Sequence, residues 1–348
     1  MTRFKKIVAV DETLLNEEAL QQLQKLGEEV VVYHDFPQDE HIVTERIGDA
    51  DCLLVSFRTP IRKSVLDACR NIQYIGMCCT LYNPESCNVD VIEAQRRGIT
   101  VLGVKDYGDE GVLEYVISEL VRLLHGFGGI RWRKESTELT RRKIGIIGMG
   151  KTGRMVADAL KFFGAEVSYF SRHRKADADN AGFVYMPLDE LLDKNEIICT
   201  CIPRNNYLLE KREFSILGNN KIVVNTSVGP TFDVAAMKDW LNESPDNYYL
   251  CDATGMGNVY EELKSCSNLL YTPYISGKSI QSVERLSQKA LANIGLTLRH
   301  QPIINNTLIL FDLSTICTTT SLNFLITNGL KKLLYNLQLW RMKQTTGN

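Results

Sequence analysis

"KIGIIGMGKTGRMVADALKFFGAEVSYFSR", residues 143–172, decides the fold. It opens on a short apolar run, turns on Gly148, Gly150 and Gly153, and continues with apolar residues at helical spacing. A second apolar run, "EVSYFS", follows. A G-x-G-x-x-G turn between a strand and a helix is the context that lifts this pattern above chance. The first glycine permits the tight turn, the second lets backbone approach a pyrophosphate, and the third lets helix and strand pack closely. Amide groups at the start of the helix then favour phosphate charge. Gly148, Met149, Gly150, Lys151, Thr152 and Gly153 are therefore assigned to a dinucleotide. The plainer alternative is an ordinary tight turn between strand and helix.

The end of the second strand bears on which dinucleotide. An NAD-preferring turn usually carries an acid there for the ribose 2′-hydroxyl. This chain has Ser171, Arg172, His173, Arg174 and Lys175. Such a cluster attracts a 2′-phosphate, and an arginine can grip two of its oxygens. NADP(H) is expected in preference to NAD(H), with Ser171, Arg172 and Arg174 as contacts. A solvated basic turn is the alternative.

Outward from this turn the chain alternates strands and helices. Before it come "KKIVAV", "EEVVVYH", "DCLLVSF", "IQYIGMC" and "ITVLGV"; after it come "EIICTCI", "KIVVNTS", "NYYLCDA" and "LLYTPYI". Two doubly wound Rossmann-like α/β units are predicted. A long helix over "DEGVLEYVISELVRLLHGFGG" lies between them, with Asp109 as its N-cap and Gly126 as its stop. "SIQSVERLSQKALANIGLTLRH" reads as a further amphipathic helix.

At 348 residues, 44% of them hydrophobic, two domains are the default. A formal net charge of −2 gives no reason to expect nucleic acid as partner. The ten cysteines form no C-x-x-C pair, so no metal site is expected. The start "MTRFKKIVAV" does not read as a signal peptide, which points to a reduced, cytoplasmic setting. Residues 301–348 lose the alternating rhythm. Their apolar stretch is broken by Asp312 and many hydroxyls, so no membrane association is expected.

At this point the chain resembles the D-isomer-specific 2-hydroxyacid dehydrogenases over roughly residues 5–300. The ordered landmarks are "NVDVIEAQRRGITVLGV", "GVLEYV", "IRW", the glycine turn, "CIPRNNYLLEKREFSILGNNKIVVNTS", "CDA" and "TPYISG". The resemblance implies a homodimer, a nicotinamide cofactor and a small-molecule substrate bound in a cleft between domains. It also implies that one domain is inserted in the other. Residues 1–105 with 279–300 would form a flavodoxin-like substrate domain, and 106–278 the NADP-binding domain. Residues 301–348 would be an extension of unknown role. Pro203, Thr226, Ser227 and Asp252 stand at the family's dinucleotide contacts. Asp252 would accept a hydrogen bond from the nicotinamide carboxamide.

The family's three catalytic residues are absent. Val228 stands at the position of the carboxylate-binding Arg, Gly257 at that of the Glu, and Tyr274 at that of the His. None of the five histidines falls in these motifs. A tyrosine hydroxyl can donate a proton when a nearby cation lowers its pKa. Tyr274 is therefore the candidate proton donor, helped by Lys278 if a helix starts near Ser276. A packed tyrosine and an exposed lysine are the alternative. In "GMCCTLYNPESCNVD" a longer loop replaces a Gly-rich one. Cys79 there could be a nucleophile, though free cysteine is more often a small buried apolar group. Arg58 is the nearest candidate for a substitute anion anchor, although a surface arginine at a strand end is the commoner case, and Tyr107, Asp109 and Glu110 are expected to border the cleft. Two functions remain open: an NADP(H)-dependent oxidoreductase with a rebuilt site, and a non-catalytic NADP(H)-binding sensor.

Overall fold

The computed structural model describes residues 3–204 and 206–300. Five parallel strands form the first sheet: β1 (Phe4–Ala9), β2 (Gly27–Val32), β3 (Cys52–Val55), β4 (Tyr74–Met77) and β5 (Thr100–Gly103). Their spatial order is β2-β1-β3-β4-β5. Seven more form the second: β6 (Lys143–Ile147), β7 (Glu166–Phe170), β8 (Val184–Tyr185), β9 (Ile197–Thr200), β10 (Ile222–Asn225), β11 (Tyr248–Asp252) and β12 (Leu269–Thr272). That order is β12-β11-β10-β9-β6-β7-β8, all parallel. The short edge strand β8 escaped the sequence reading because two residues carry no readable alternation.

Both sheets are buried on both faces, as parallel sheets with helical crossovers must be. Along β1, Val8 faces one apolar cluster with Leu53, Val55 and Ile75, while Ile7 and Ala9 face another. The second cluster is completed by Leu286, Ala290, Ile294 and Leu298 of the helix Ile280–His300. This helix covers the first sheet although it follows the second in sequence. Asn293 Nδ2 donates to the Gly103 carbonyl (3.1 Å), and Arg285 pairs with Glu110 (2.7 Å).

The helix Asp109–His125 packs Val116, Leu120, Leu123 and Leu124 on the second sheet and ends at Gly126, φ 79°. Its start differs from expectation. Gly108 is the cap, and Asp109 is already helical, its carboxylate accepting from the Thr152 hydroxyl instead of capping its own helix. Gly108 and Gly111 lie against the backbone of Ser276 and Gly277, where side chains would collide. The two crossings between the lobes thus pass in close contact. No helix of the described residues is long and apolar enough to cross a membrane, and no acidic, His or Cys cluster among them could hold a metal. The stretch 301–348 lies outside the described residues.

Candidate active-site cleft

In doubly wound sheets, ligands bind beyond the carboxyl ends of the strands where the strand order reverses. In the second sheet this is the gap between β6 and β9. The β6 turn fills it. Gly148, at φ 100°, has no room for a Cβ beside the Cys201 carbonyl, and Gly153 none beside the carbonyl of Gly148. A Cβ on Gly150 would meet nothing within 4 Å, so that face of the turn is open to a ligand. Gly150 is also the cap of the helix Lys151–Phe162, which leaves that helix's first amides without a side-chain partner. Open space and unpaired amides together fit a pyrophosphate. Met149 is buried behind the turn, Lys151 is exposed, and Thr152 is bonded to Asp109.

Beyond β7, the Ser171 hydroxyl donates to the His173 carbonyl (2.6 Å) and Arg174 is held by Asp179 (2.7 Å). Arg172 is exposed and makes no ion pair with any described residue.

The β9 and β10 turns are tied together. Buried Asn225 donates to the carbonyls of Gly229 (3.0 Å) and Gly255 (3.0 Å) and accepts from the Ser227 amide (2.9 Å) and the Thr200 hydroxyl (2.8 Å). The buried Ser227 hydroxyl accepts from the Ile202 amide (3.0 Å) and donates to the Thr200 carbonyl (3.2 Å). Thr226 and Pro203 are half-buried beside them. Asp252 is 1% exposed. Its carboxylate accepts from the Gly255 amide (2.7 Å), the Ser276 amide (2.8 Å) and the Ser276 hydroxyl (2.7 Å). Those bonds pin the β11 and β12 ends and leave little of the carboxylate for a ligand.

Tyr274 is 76% exposed, and its carbonyl accepts from the Ala253 amide (3.0 Å). Lys278 is exposed, and no hydrogen bond joins it to Tyr274. The helix that would have brought them together begins at Ile280, not near Ser276. The reason lies in two sets of bonds: Ser276 turns onto Asp252, and Ser279 and Ser282 bond reciprocally to start the helix four residues later.

A cavity of about 460 Å³ opens at these strand ends, lined by Val228, Gly229, Pro230, Thr254, Gly257 and Ile275 on one side and by Phe57 and Arg58 on the other. Arg204 and Tyr207 also line it. The Thr254 hydroxyl has no hydrogen-bond partner. Arg58 rides on a loop that a buried carboxylate fixes. Asp11, wholly buried, accepts from the Ser56 amide (2.9 Å) and hydroxyl (2.6 Å) and the Thr59 hydroxyl (2.5 Å). Asn88 donates to the carbonyls of Ser56 (2.8 Å) and Thr59 (2.5 Å). The loop lies at the order reversal of the first sheet, between β1 and β3. Cys79 is buried and its thiol is pushed up to about 12 by loss of solvent, which removes the thiolate a nucleophile needs.

The family model for the D-isomer specific 2-hydroxyacid dehydrogenase NAD binding domain matches residues 125–276. Over that stretch the chain is similar to this dehydrogenase family. Hydroxypyruvate reductase of Blautia hydrogenotrophica is 28% identical over 326 residues, covering 86% of this chain and 98% of that protein. D-3-phosphoglycerate dehydrogenase of Escherichia coli K12 is 27% identical over 301 residues, 81% of this chain and 70% of that protein. Among solved structures, an acyclic imino acid reductase in complex with NADPH and D-Arg superposes with a TM-score of 0.71 at 22% identity, covering 86% of this chain and 98% of that one. A Thermus thermophilus protein gives 0.73 at 20% identity, covering 87% of this chain and 100% of that one. Both structural likenesses speak to the fold.

At the positions where the resemblance expects an Arg, a Glu and a His, the chain has Val228, Gly257 and Tyr274. Sequence reading missed the Asp11 network and Arg204. Asp11 follows β1 without any motif. Arg204 stands in "CIPRNN", where the proline drew attention and the charge beside it did not.

Proposed function

We propose that this protein is an NADP(H)-dependent oxidoreductase. It reduces a small C=O or C=N compound, or oxidises the matching alcohol or amine, in the cleft between the β10 turn and the Arg58 loop. The observation that carries the reading is the cavity at the strand ends of the second sheet, the same end that holds a glycine turn whose open face fits a pyrophosphate. Bound there, the nicotinamide supplies or accepts the hydride. Arg172 carries the preference for the 2′-phosphate, because Arg174 is already paired with Asp179. Thr226 and Pro203 border the nicotinamide, while Ser227 and Asp252 hold the turns that face it. An imino acid reductase shares this fold, which keeps C=N within its range.

The proton donor is Tyr274, acting without help from Lys278. Replacing Tyr274 by Phe should lower kcat for NADPH oxidation by about 10²–10⁴-fold while NADPH binding is retained. An unchanged kcat removes the phenol from the reaction. The exposure of Tyr274 is the one observation that favours a sensor: a fold that keeps its cofactor turn while its candidate proton donor stands in solvent. NADPH bound tightly but not consumed across 2-oxoacids, aldehydes, ketones and imines would select that reading. The same reading includes a homodimer and a reduced compartment, in keeping with cysteines that are unpaired throughout the described residues. Sedimentation of the full chain tests the dimer.

A further inference from the structure

The cleft lacks its family arginine at position 228, yet it is not without cations. Arg58 leaves the first sheet after β3, and Arg204 leaves the second after β9. They converge on one ring: the Arg58 guanidinium lies 5.5 Å from the centroid of Phe57, and that of Arg204 lies 5.7 Å from it. Phe36 flanks Arg58 from elsewhere in the first lobe (4.7 Å). The Arg204 guanidinium also reaches the Phe57 carbonyl across the cleft (3.4 Å). Neither arginine has a carboxylate partner among the described residues. Several arginines elsewhere are neutralised, among them Arg46 by Asp35, Arg142 by Glu196 and Arg285 by Glu110. Two like charges around one ring repel, and contact with the ring orients them while leaving most of their N–H donors free. Both line the cavity described above and also a neighbouring groove of about 730 Å³, which adds Arg62 and Lys63. Lys63 is paired with Asp67, whereas the Arg62 side chain meets no carboxylate.

We propose that Arg204 and Arg58 form a two-sided anion clamp that replaces the missing arginine at Val228, so that the substrate is a carbonyl or imine compound carrying a carboxylate or phosphate. The proposal rests on the cleft being the substrate site. Its anion sits at the junction of cavity and groove, farther from the β10 turn than position 228 would place it. Because one arginine comes from each lobe, the grip depends on how the lobes meet. The Asp11 carboxylate and Asn88 fix the Arg58 loop in advance, which limits the ordering cost of binding.

The test is calorimetric titration of malonate, and in parallel inorganic phosphate, into the full chain saturated with NADPH. At least one of the two should bind, and R204Q and R58Q should each weaken that binding about tenfold or more. R204K should recover part of the loss, and added chloride should weaken binding in the wild type. NADPH affinity should stay within about twofold in every variant, since a factor of two is under 0.5 kcal/mol. The preference between the two anions identifies the substrate group. Absence of binding by both overturns the clamp, as does binding indifferent to both substitutions. Loss of NADPH affinity in step with the anion also overturns it, because Arg204 would then serve the cofactor. Turnover is not the readout, so the two readings can fail separately. An arginine-dependent anion site with no NADPH oxidation keeps the clamp and sinks the redox reading. Turnover with arginine-independent anion binding does the reverse.

Discussion

The β6 turn and the β10 turn both present backbone to the same end of the second sheet, and they are built by opposite means. The β6 turn is shaped by missing side chains: Gly148 and Gly153 leave room only for backbone, and Gly150 leaves room for a ligand. Its sequence is therefore a direct record of what it holds. The β10 turn is shaped by bonds among side chains that face inward, with Asn225 and Ser227 buried and tied to β9 and β11. Val228 is 37% exposed and contributes nothing to that bonding. A turn held in this way keeps its form whatever residue 228 is. The difference explains how a fold can keep its cofactor turn while residue 228 is left free to vary.

The glycines offer the largest effects. G153A should destabilise the protein by about 1–3 kcal/mol or more, because a methyl group must displace a backbone carbonyl. G150A should melt with the wild type and bind NADPH more weakly, since a methyl group there occupies only the open face. Thermal unfolding and fluorescence titration of NADPH separate the two. A G150A protein with wild-type NADPH affinity would mean that the cofactor does not approach this face.

Arg172 comes next. R172A should weaken NADPH by about tenfold or more, the worth of a hydrogen bond to a charged group, and leave NADH unchanged. Equal losses for both cofactors would return the cluster to a solvated turn.

The inert role of Val228 is tested by V228R. Stability should change by no more than about 0.5 kcal/mol, as for surface positions generally. Malonate binding should tighten by about tenfold, through a restored charge-assisted pair. A large loss of stability would show that the turn does depend on residue 228.

The legibility of the site follows the same division. The strands and the glycine turn could be read because burial on both faces and tight turns restrict residue types locally. Lys278 could not be placed, because the start of the last helix is set by Ser276 choosing Asp252, 24 residues away in sequence. Arg204 and Arg58 belong to different sheets, and no local pattern announces that they share one phenyl ring. Asp11 was invisible for the same reason: its partners Ser56 and Thr59 are 45 and 48 residues distant.

Asp109 joins the helix Asp109–His125 to the β6 turn and carries the smallest expected effect. Burial pushes its carboxyl up from the ordinary 3.8, the Thr152 hydroxyl pulls it down, Asp106 and Glu110 push it up, and Lys151 pulls it down; the net direction is upward. An acid raised in the folded state binds more protons there than in the unfolded chain. Its charge therefore costs stability as pH rises from 3.8 through the folded value, and the cost is constant above that window. Glu93 behaves oppositely: Arg96 and Arg97 lower it to about 2, so its contribution is present above 4.5 and lost as pH falls towards that lower value. D109N keeps an acceptor for Thr152 and removes the charge. It should match or slightly exceed wild-type stability at neutral pH, with the gain vanishing towards pH 3.8 in urea unfolding. NADPH should bind a little more tightly, because Thr152 lies in the first turn of the helix that receives the phosphates. If D109N is instead less stable at neutral pH, the bond from Thr152 to the charged carboxylate outweighs its burial. The helix Asp109–His125 would then be fastened to the cofactor turn by that charge, and NADPH affinity should fall with it.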